Sequence, residues 1–263
     1  MLAFPDQLVN AVRRCGNPVL VGLDPRIDLL PEGMCPGGAK AELGVQAQAY
    51  GAFCRGVVDV VAPLVAAVKP QAAFFEQLGP QGMSVLAEVI AYAQQHGLLV
   101  IFDGKRNDIG STATAYAEGI LGRGQSAWGA DALTVSPYLG GDSLKPFIEV
   151  AVARSAGVFV LVKTSNPGGR MIQDLVADGR PLYQHVAEYV EATATHTAGS
   201  CGYGAVGAVV GATYPEQLAR LRKLMQHTWF LVPGFGSQGG TAHDVAAAFD
   251  EHGSGAIVNN SRG

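Results

Sequence analysis

The chain has 263 residues, 48% hydrophobic and 15% charged, with a formal net charge of -4. This balance leaves no basic footprint for nucleic acid, and the apolar content with 35 glycines argues against disorder and for a packed α/β fold with many tight connections. The longest apolar runs, such as VVDVVAPLVAAV, are broken by Asp59 and Pro63 and fall short of a membrane span, so neither nucleic acid nor membrane is an expected partner.

FPDQLVNAVRRCG reads as a helix ahead of the first strand. Eight β-branched runs then recur in order, each closed by a charged or turn residue: PVLVGLDP (18–25), VAAVKP (65–70), LLVIFDGK (98–105), ALTVSP (132–137), VFVLVKTS (158–165), AVGAVVGAT (205–213), WFLVPGFG (229–236) and GAIVNNS (255–261). Near-continuous apolar runs mean burial on both faces, and strands alternating with helix-like spacers mean parallel pairing through right-handed crossovers. Among the spacers, PQGMSVLAEVIAYAQQHG puts Val85, Val89 and Ala93 on one helical face before Gly97, and TYPEQLARLRKLMQH carries Leu218, Leu221 and Leu224 at helical spacing. Eight such units predict a (β/α)8 barrel with an extra N-terminal helix, forming a single domain over 1–263; a doubly wound sheet is the alternative. The sequence stops two residues after NNS, so the eighth strand lacks its covering helix, and the natural protein is expected to extend further. Cys15, Cys35, Cys54 and Cys201 show no CxxC pairing, and no secretory signal precedes them, so reduced thiols in the cytoplasm are expected.

A parallel barrel carries its active site at the C-terminal strand ends. The first three strands end in LDPR (Asp24), VKPQ (Lys69) and FDGKRND (Asp103, Lys105, Asp108). Residues two apart on a strand share a face, so Asp103 and Lys105 point one way while Asp108 reaches in from the loop or out to a partner. Two unit charges ~4 Å apart interact by ~4 kcal/mol at an effective dielectric of ~20, so alternating signs make such crowding tolerable and hold Lys105 as a pre-aimed cation. At the other end of the chain, VPGFGSQGG (232–240) and NNSRG (259–263) follow strands seven and eight, the usual phosphate site of such barrels. The glycines let backbone N–H groups approach a phosphate, with Gln238 and the guanidinium fork of Arg262 as further donors. Lys163 is placed to line the mouth from strand five, with Thr164 and Ser136 as hydrogen-bonding candidates. The six histidines show neither HxH nor HExxH spacing, so no metal site is expected.

LDPR, VKPQ, FDGKRNDIGSTA, TVSPYLGGD, VKTSNPG, VPGFGSQGG and NNSRG together resemble the orotidine 5'-phosphate decarboxylase family, in particular its second subgroup, over residues 18–263. Strand four departs from the pattern, with Ser136 where much of the subgroup has Asn before proline. The resemblance implies conversion of orotidine 5'-phosphate to uridine 5'-phosphate without metal or organic cofactor. It implies Lys105 as the cation at C6 and its proton donor, Asp103 beside the departing carboxylate, and Lys69 bridging Asp103 and the ribose. Asp24 is implied for a ribose hydroxyl, Ser136 for the pyrimidine, and Gln238 and Arg262 for the 5'-phosphate, with Thr164 and Pro233 as further substrate-binding candidates. Asp108, Ile109 and Thr112 are implied to cross a homodimer interface into the neighbouring site. The rivals are a Mg2+-dependent sister barrel, such as 3-keto-gulonate-phosphate decarboxylase or hexulose-phosphate synthase, which shares DxKxxD, and a non-catalytic nucleotide-binding barrel. Lys69 opposes the first because a cation there would repel the metal.

Overall fold

The computed structural model describes residues 2–236 and 240–261. Eight parallel strands close into a barrel: β1 (Val19–Leu23), β2 (Ala67–Pro70), β3 (Leu99–Arg106), β4 (Ala132–Val135), β5 (Gly157–Lys163), β6 (Val206–Val210), β7 (Phe230–Val232) and β8 (Ala256–Asn260). Every strand pairs with its sequence neighbours and β8 pairs with β1, which is the (β/α)8 architecture and not a doubly wound sheet. The helices around it are α2 (Leu43–Val61), α3 (Ala72–Glu76), α4 (Gly79–Gln95), α5 (Gly110–Ile120), α6 (Gly141–Ala153), α7 (Arg170–Gln173), α8 (Leu182–His196), α9 (Pro215–Leu224) and α10 (Ala242–Ala246). No helix among the described residues is long and apolar enough to cross a membrane. All four cysteines are free, and burial pushes the Cys54 thiol up to about 12.

The expected leading helix is present as α1 (Phe4–Cys15), ended by Gly16 in the left-handed conformation at φ 67°. Its Phe4 and Leu8 join Leu20, Ile101, Phe159, Trp229 and Ile257 in a core inside the barrel, so α1 closes the end opposite the catalytic rim. Phe4 meets Phe159 edge to face at 6.1 Å. A Cβ on Gly157 would lie 2.2 Å from the Phe4 ring, so the missing side chain at the start of β5 makes room for the plug. Gly157→Ala is therefore expected to destabilise the fold by roughly 1–3 kcal/mol through overpacking, read as a drop in thermal midpoint; an unchanged midpoint would show that α1 yields freely.

Helical patterning succeeds in α4, where Val85, Val89 and Ala93 are all buried. It fails at one position in α9: Leu218 and Leu221 are buried but Leu224 is exposed. Each i+3 step falls short of a full turn, so two steps carry Leu224 about 120° around the helix, and Met225 takes the inward place. A second difference is the excursion between β5 and α8, which contains α7 and a two-stranded antiparallel hairpin, Val176–Ala177 with Arg180–Pro181. These pieces are too short and polar for periodicity to reveal them.

The strand that matters most is irregular. In β3, Ile101 pairs with Ala132 and Phe102 with Leu133, but the next pair is Arg106 with Val135. Asp103, Gly104 and Lys105 therefore face Thr134 alone, a bulge of the kind that re-aims side chains near functional sites.

Candidate active site

The C-terminal rim of the barrel opens into a cavity of about 640 Å³, lined by the ends of β1, β2, β3 and β4 on one side and by the loops after β5, β7 and β8 on the other. Asp24, Lys69, Asp103, Lys105, Thr164 and Pro233 all line it. Seven strand ends, spread along the whole chain, thus supply one pocket.

At its floor stands Asp103, buried with its two oxygens occupied by different partners. Lys69 Nζ donates to Oδ2 at 2.5 Å and Lys105 Nζ to Oδ1 at 2.7 Å. Gln71 Nε2 also donates to Oδ2, at 3.2 Å, and the Thr134 hydroxyl to Oδ1, at 2.8 Å. Burial alone would raise this carboxyl's pKa, but the charges and hydrogen bonds of Lys69 and Lys105 outweigh it and hold the group far below the ordinary carboxylate range. Asp103 therefore stays ionised throughout the neutral range. Its two ammonium partners differ in access: the Lys69 side chain is 6% exposed, while that of Lys105 is 46% exposed. Lys105 is accordingly the cation presented to a ligand, and Lys69 is the one built into the wall.

Asp103 and Lys105 converge as expected, but not through simple strand alternation. Lys105 lies at φ 45°, in the left-handed region, which costs of order 1–3 kcal/mol for a residue with a side chain. Strain of this size persists only where surrounding contacts impose it. Here the bulge removes the ladder partner of the Lys105 N–H, and the Thr134 hydroxyl accepts it at 3.0 Å.

Asp24 lines the same cavity, and its Oδ1 is buried with no hydrogen-bond partner among the described residues. A buried carboxylate oxygen left without a donor is a place for a ligand hydroxyl. Across the mouth, Thr164 is tied into its own loop: its hydroxyl lies 2.7 Å from Asn166 Oδ1, and Gln173 bonds both its N–H and its hydroxyl. After β7, Gly236 N–H donates to Gly240 at 2.9 Å and Gly240 N–H to Gly234 at 3.1 Å. A Cβ on Gly240 would fall 2.7 Å from the Gly234 carbonyl, so glycine is required there. Pro233, Gly234 and Phe235 bring this loop to the cavity. Gln238 and Arg262 lie outside the described residues.

Two expectations need correction. Ser136 does not line this cavity; it borders a separate apolar one of about 480 Å³, between the loops after β4 and β5. Ser136 lies beyond the end of β4 at Val135, and Ser165, in the loop after β5, lines the main cavity. A Cβ on neighbouring Gly211 would stand 2.8 Å from the Ser165 backbone, so Gly211 admits that close approach. Lys163 is fully buried away from the mouth, paired with Asp174 at 2.5 Å and stacked near Tyr183 and Tyr214, where it anchors the excursion. Of the two placements expected for Asp108, the structure does not show the one inside its own chain's Lys105 cluster: Asp108 is half-buried outside the cavity, accepting the Ile109 N–H at 2.8 Å. Ile109 and Thr112 are exposed beside it at the start of α5.

Sequence reasoning missed Gln71 and Thr134. Both carried a signal: Gln71 stands two residues beyond Lys69 and so shares its face, and Thr134 is a lone hydroxyl in an apolar strand. No cluster of three or more His, Cys, Asp or Glu that could hold a metal occurs among the described residues.

The sequence model of the orotidine 5'-phosphate decarboxylase / HUMPS family matches residues 19–262. An orotidine 5'-phosphate decarboxylase of Rhodopirellula baltica is 58% identical over 265 aligned residues, covering 100% of this chain and 88% of that protein. One from Caldicellulosiruptor bescii is 39% identical, over 100% of this chain and 89% of its own. Among solved structures, Leishmania donovani OMP decarboxylase superposes with a TM-score of 0.79 at 37% identity, covering 100% of this chain and 90% of that one. The chain also spans 52% of Leishmania donovani UMP synthase, at 38% identity and a TM-score of 0.82. A family match running from the first barrel strand to the last, with relatives aligned over the whole chain, places this protein in the orotidine 5'-phosphate decarboxylase / HUMPS family.

Proposed function

We propose that this chain decarboxylates orotidine 5'-phosphate to uridine 5'-phosphate, the closing step of pyrimidine nucleotide synthesis, with Lys105 as the working cation. The observation that carries the reading is the exposed Lys105 ammonium, braced 2.7 Å from a buried, doubly paired carboxylate at the floor of a nucleotide-sized cavity. When the C6–CO2 bond breaks, the electron pair stays on C6 as a localised carbanion with no adjoining carbonyl to delocalise it. A fixed ammonium beside C6 stabilises that charge as it forms, and it needs no reorganisation because Asp103 already holds it. Lys105 then gives C6 its proton and is reprotonated from solvent. Both Asp103 oxygens are engaged by donors, which favours a role as a clamp on Lys105 and Lys69 over one as a bare charge repelling the substrate carboxylate.

The remaining contacts follow the cavity. Asp24 receives a ribose hydroxyl on its unpartnered oxygen, and Lys69 reaches the ribose from beside Asp103. Ser165 takes the polar contact to the base first assigned to Ser136, with Thr164 shaping that wall. Gln238 and Arg262 are assigned to the phosphate by the family resemblance, and Pro233 borders the cavity on the β7 side. Remote binding of this kind can be spent at C6 through loop closure.

The active unit is a homodimer in the cytoplasm, one barrel domain per chain over 1–263. Thr112 and Tyr116 stand four apart on one face of α5, Ile109 immediately precedes the helix, and all three are exposed. Tyr138 adds further apolar surface at 74% exposure. A partner covering this surface would carry Asp108 toward the neighbouring cavity, the place its own chain does not give it.

The reading is tested by adding orotidine 5'-phosphate to the purified protein in EDTA and following the loss of substrate absorbance. Full turnover is expected, since Lys69 occupies the charge position on Asp103 that a divalent cation would need. Turnover abolished by chelation and restored by Mg2+ would overturn the metal-free mechanism. No turnover of folded protein in either condition would sink the decarboxylase reading and favour the sister reaction, which takes a different substrate.

A further inference from the structure

We infer that Thr134 is a positioning residue that presets Lys105 for proton delivery, through one hydroxyl bonded to both halves of the Asp103–Lys105 pair. Its Oγ1 accepts the Lys105 N–H at 3.0 Å and donates to Asp103 Oδ1 at 2.8 Å. A hydroxyl has one proton to give and lone pairs to accept with, so both bonds form at once.

The need for it comes from the bulge. Three residues of β3 stand opposite Thr134 alone, so the ladder has no carbonyl partner for the Lys105 N–H, and Lys105 sits at φ 45°. A left-handed turn at a lysine relaxes unless something holds it. Thr134 is 1% exposed and lies in a strand whose other residues, Ala132, Leu133 and Val135, are buried and apolar. Its hydroxyl is thus shielded from water, and its two partners are both members of the catalytic cluster. Lys69 and Gln71 fix the other carboxylate oxygen, Oδ2. Thr134 fixes Oδ1, the oxygen that carries Lys105. Thr134 borders the cavity, but its hydroxyl proton is committed to Asp103 and its oxygen to the Lys105 N–H, so its part is to set where the ammonium stands.

This inference rests on the decarboxylase reading, and the test separates the two. Thr134→Val keeps the shape and removes the hydroxyl. With orotidine 5'-phosphate it is expected to lower kcat by roughly 10- to 100-fold, as misplacement of a reacting group does, while KM and the affinity for uridine 5'-phosphate change less than about threefold. Thr134→Ser restores the hydroxyl and is expected to recover most of kcat. A Thr134→Val enzyme with wild-type kcat, or a rise in KM alone, overturns the positioning role while leaving the decarboxylase reading intact. An inactive wild type overturns the decarboxylase reading. In either event, a crystal structure of Thr134→Val judges the inference directly: Lys105 still at positive φ with its ammonium on Asp103 refutes it, and a relaxed Lys105 supports it.

Discussion

Lys105→Ala is expected to lower kcat by roughly 10³-fold or more, because one substitution removes both the cation that stabilises the C6 charge and the acid that protonates it. Nucleotide affinity is expected to fall far less, roughly tenfold at most, since the contacts proposed for the ribose and the phosphate do not involve Lys105. The protein should remain folded: Asp103 keeps Lys69, Gln71 and Thr134 as donors after the lysine is lost. Steady-state kinetics with titration of uridine 5'-phosphate measure both quantities. Turnover within tenfold of wild type would mean that Lys105 is not the working cation, and parallel loss of affinity and turnover would recast it as a binding residue.

Asp108→Ala is expected to be severely impaired by itself, yet to regain activity when mixed with Lys105→Ala. If Asp108 serves the neighbouring cavity, each mixed dimer contains one site lacking both groups and one site lacking neither. Random reassortment makes half the dimers mixed, with one of two sites intact, so roughly a quarter of wild-type activity should return after subunit exchange. Neither parent alone can supply that. A mixture no more active than the sum of its parents would place Asp108 in its own chain's site, or show that the exposed surface of Ile109, Thr112 and Tyr116 is not an interface. The expectation draws its force from geometry: Asp108 lies on the rim, accepts only the adjacent Ile109 N–H among the hydrogen bonds described, and does not line the cavity that holds Lys105.

Much of this site is legible in the sequence. The charge-terminated apolar runs marked strands whose ends converge, and Lys69, Asp103 and Lys105 do form one cluster with the separations that their alternating signs require. The readings that failed share a cause. Ser136, Lys163 and Leu224 were each assigned by counting along an element, and counting is valid only while the element stays regular. Ser136 lies beyond the last residue of β4; Lys163 sits at a register shift against β6; Leu224 drifts off the buried face of α9. Gln71 and Thr134 escaped notice because neutral donors carry no charge pattern, and their importance appears only once Asp103 is seen to have four partners.

The sequence by itself determined the barrel, its leading helix, the rim on which chemistry is placed and the charges gathered there, because burial periodicity and strand-end composition are local properties that topology then makes adjacent. Only the tertiary structure decided how Asp103 and Lys105 meet. Their convergence depends on a bulge between β3 and β4 and on a left-handed lysine held by a hydroxyl 29 positions away. That is a long-range packing outcome, and no pattern within either strand encodes it.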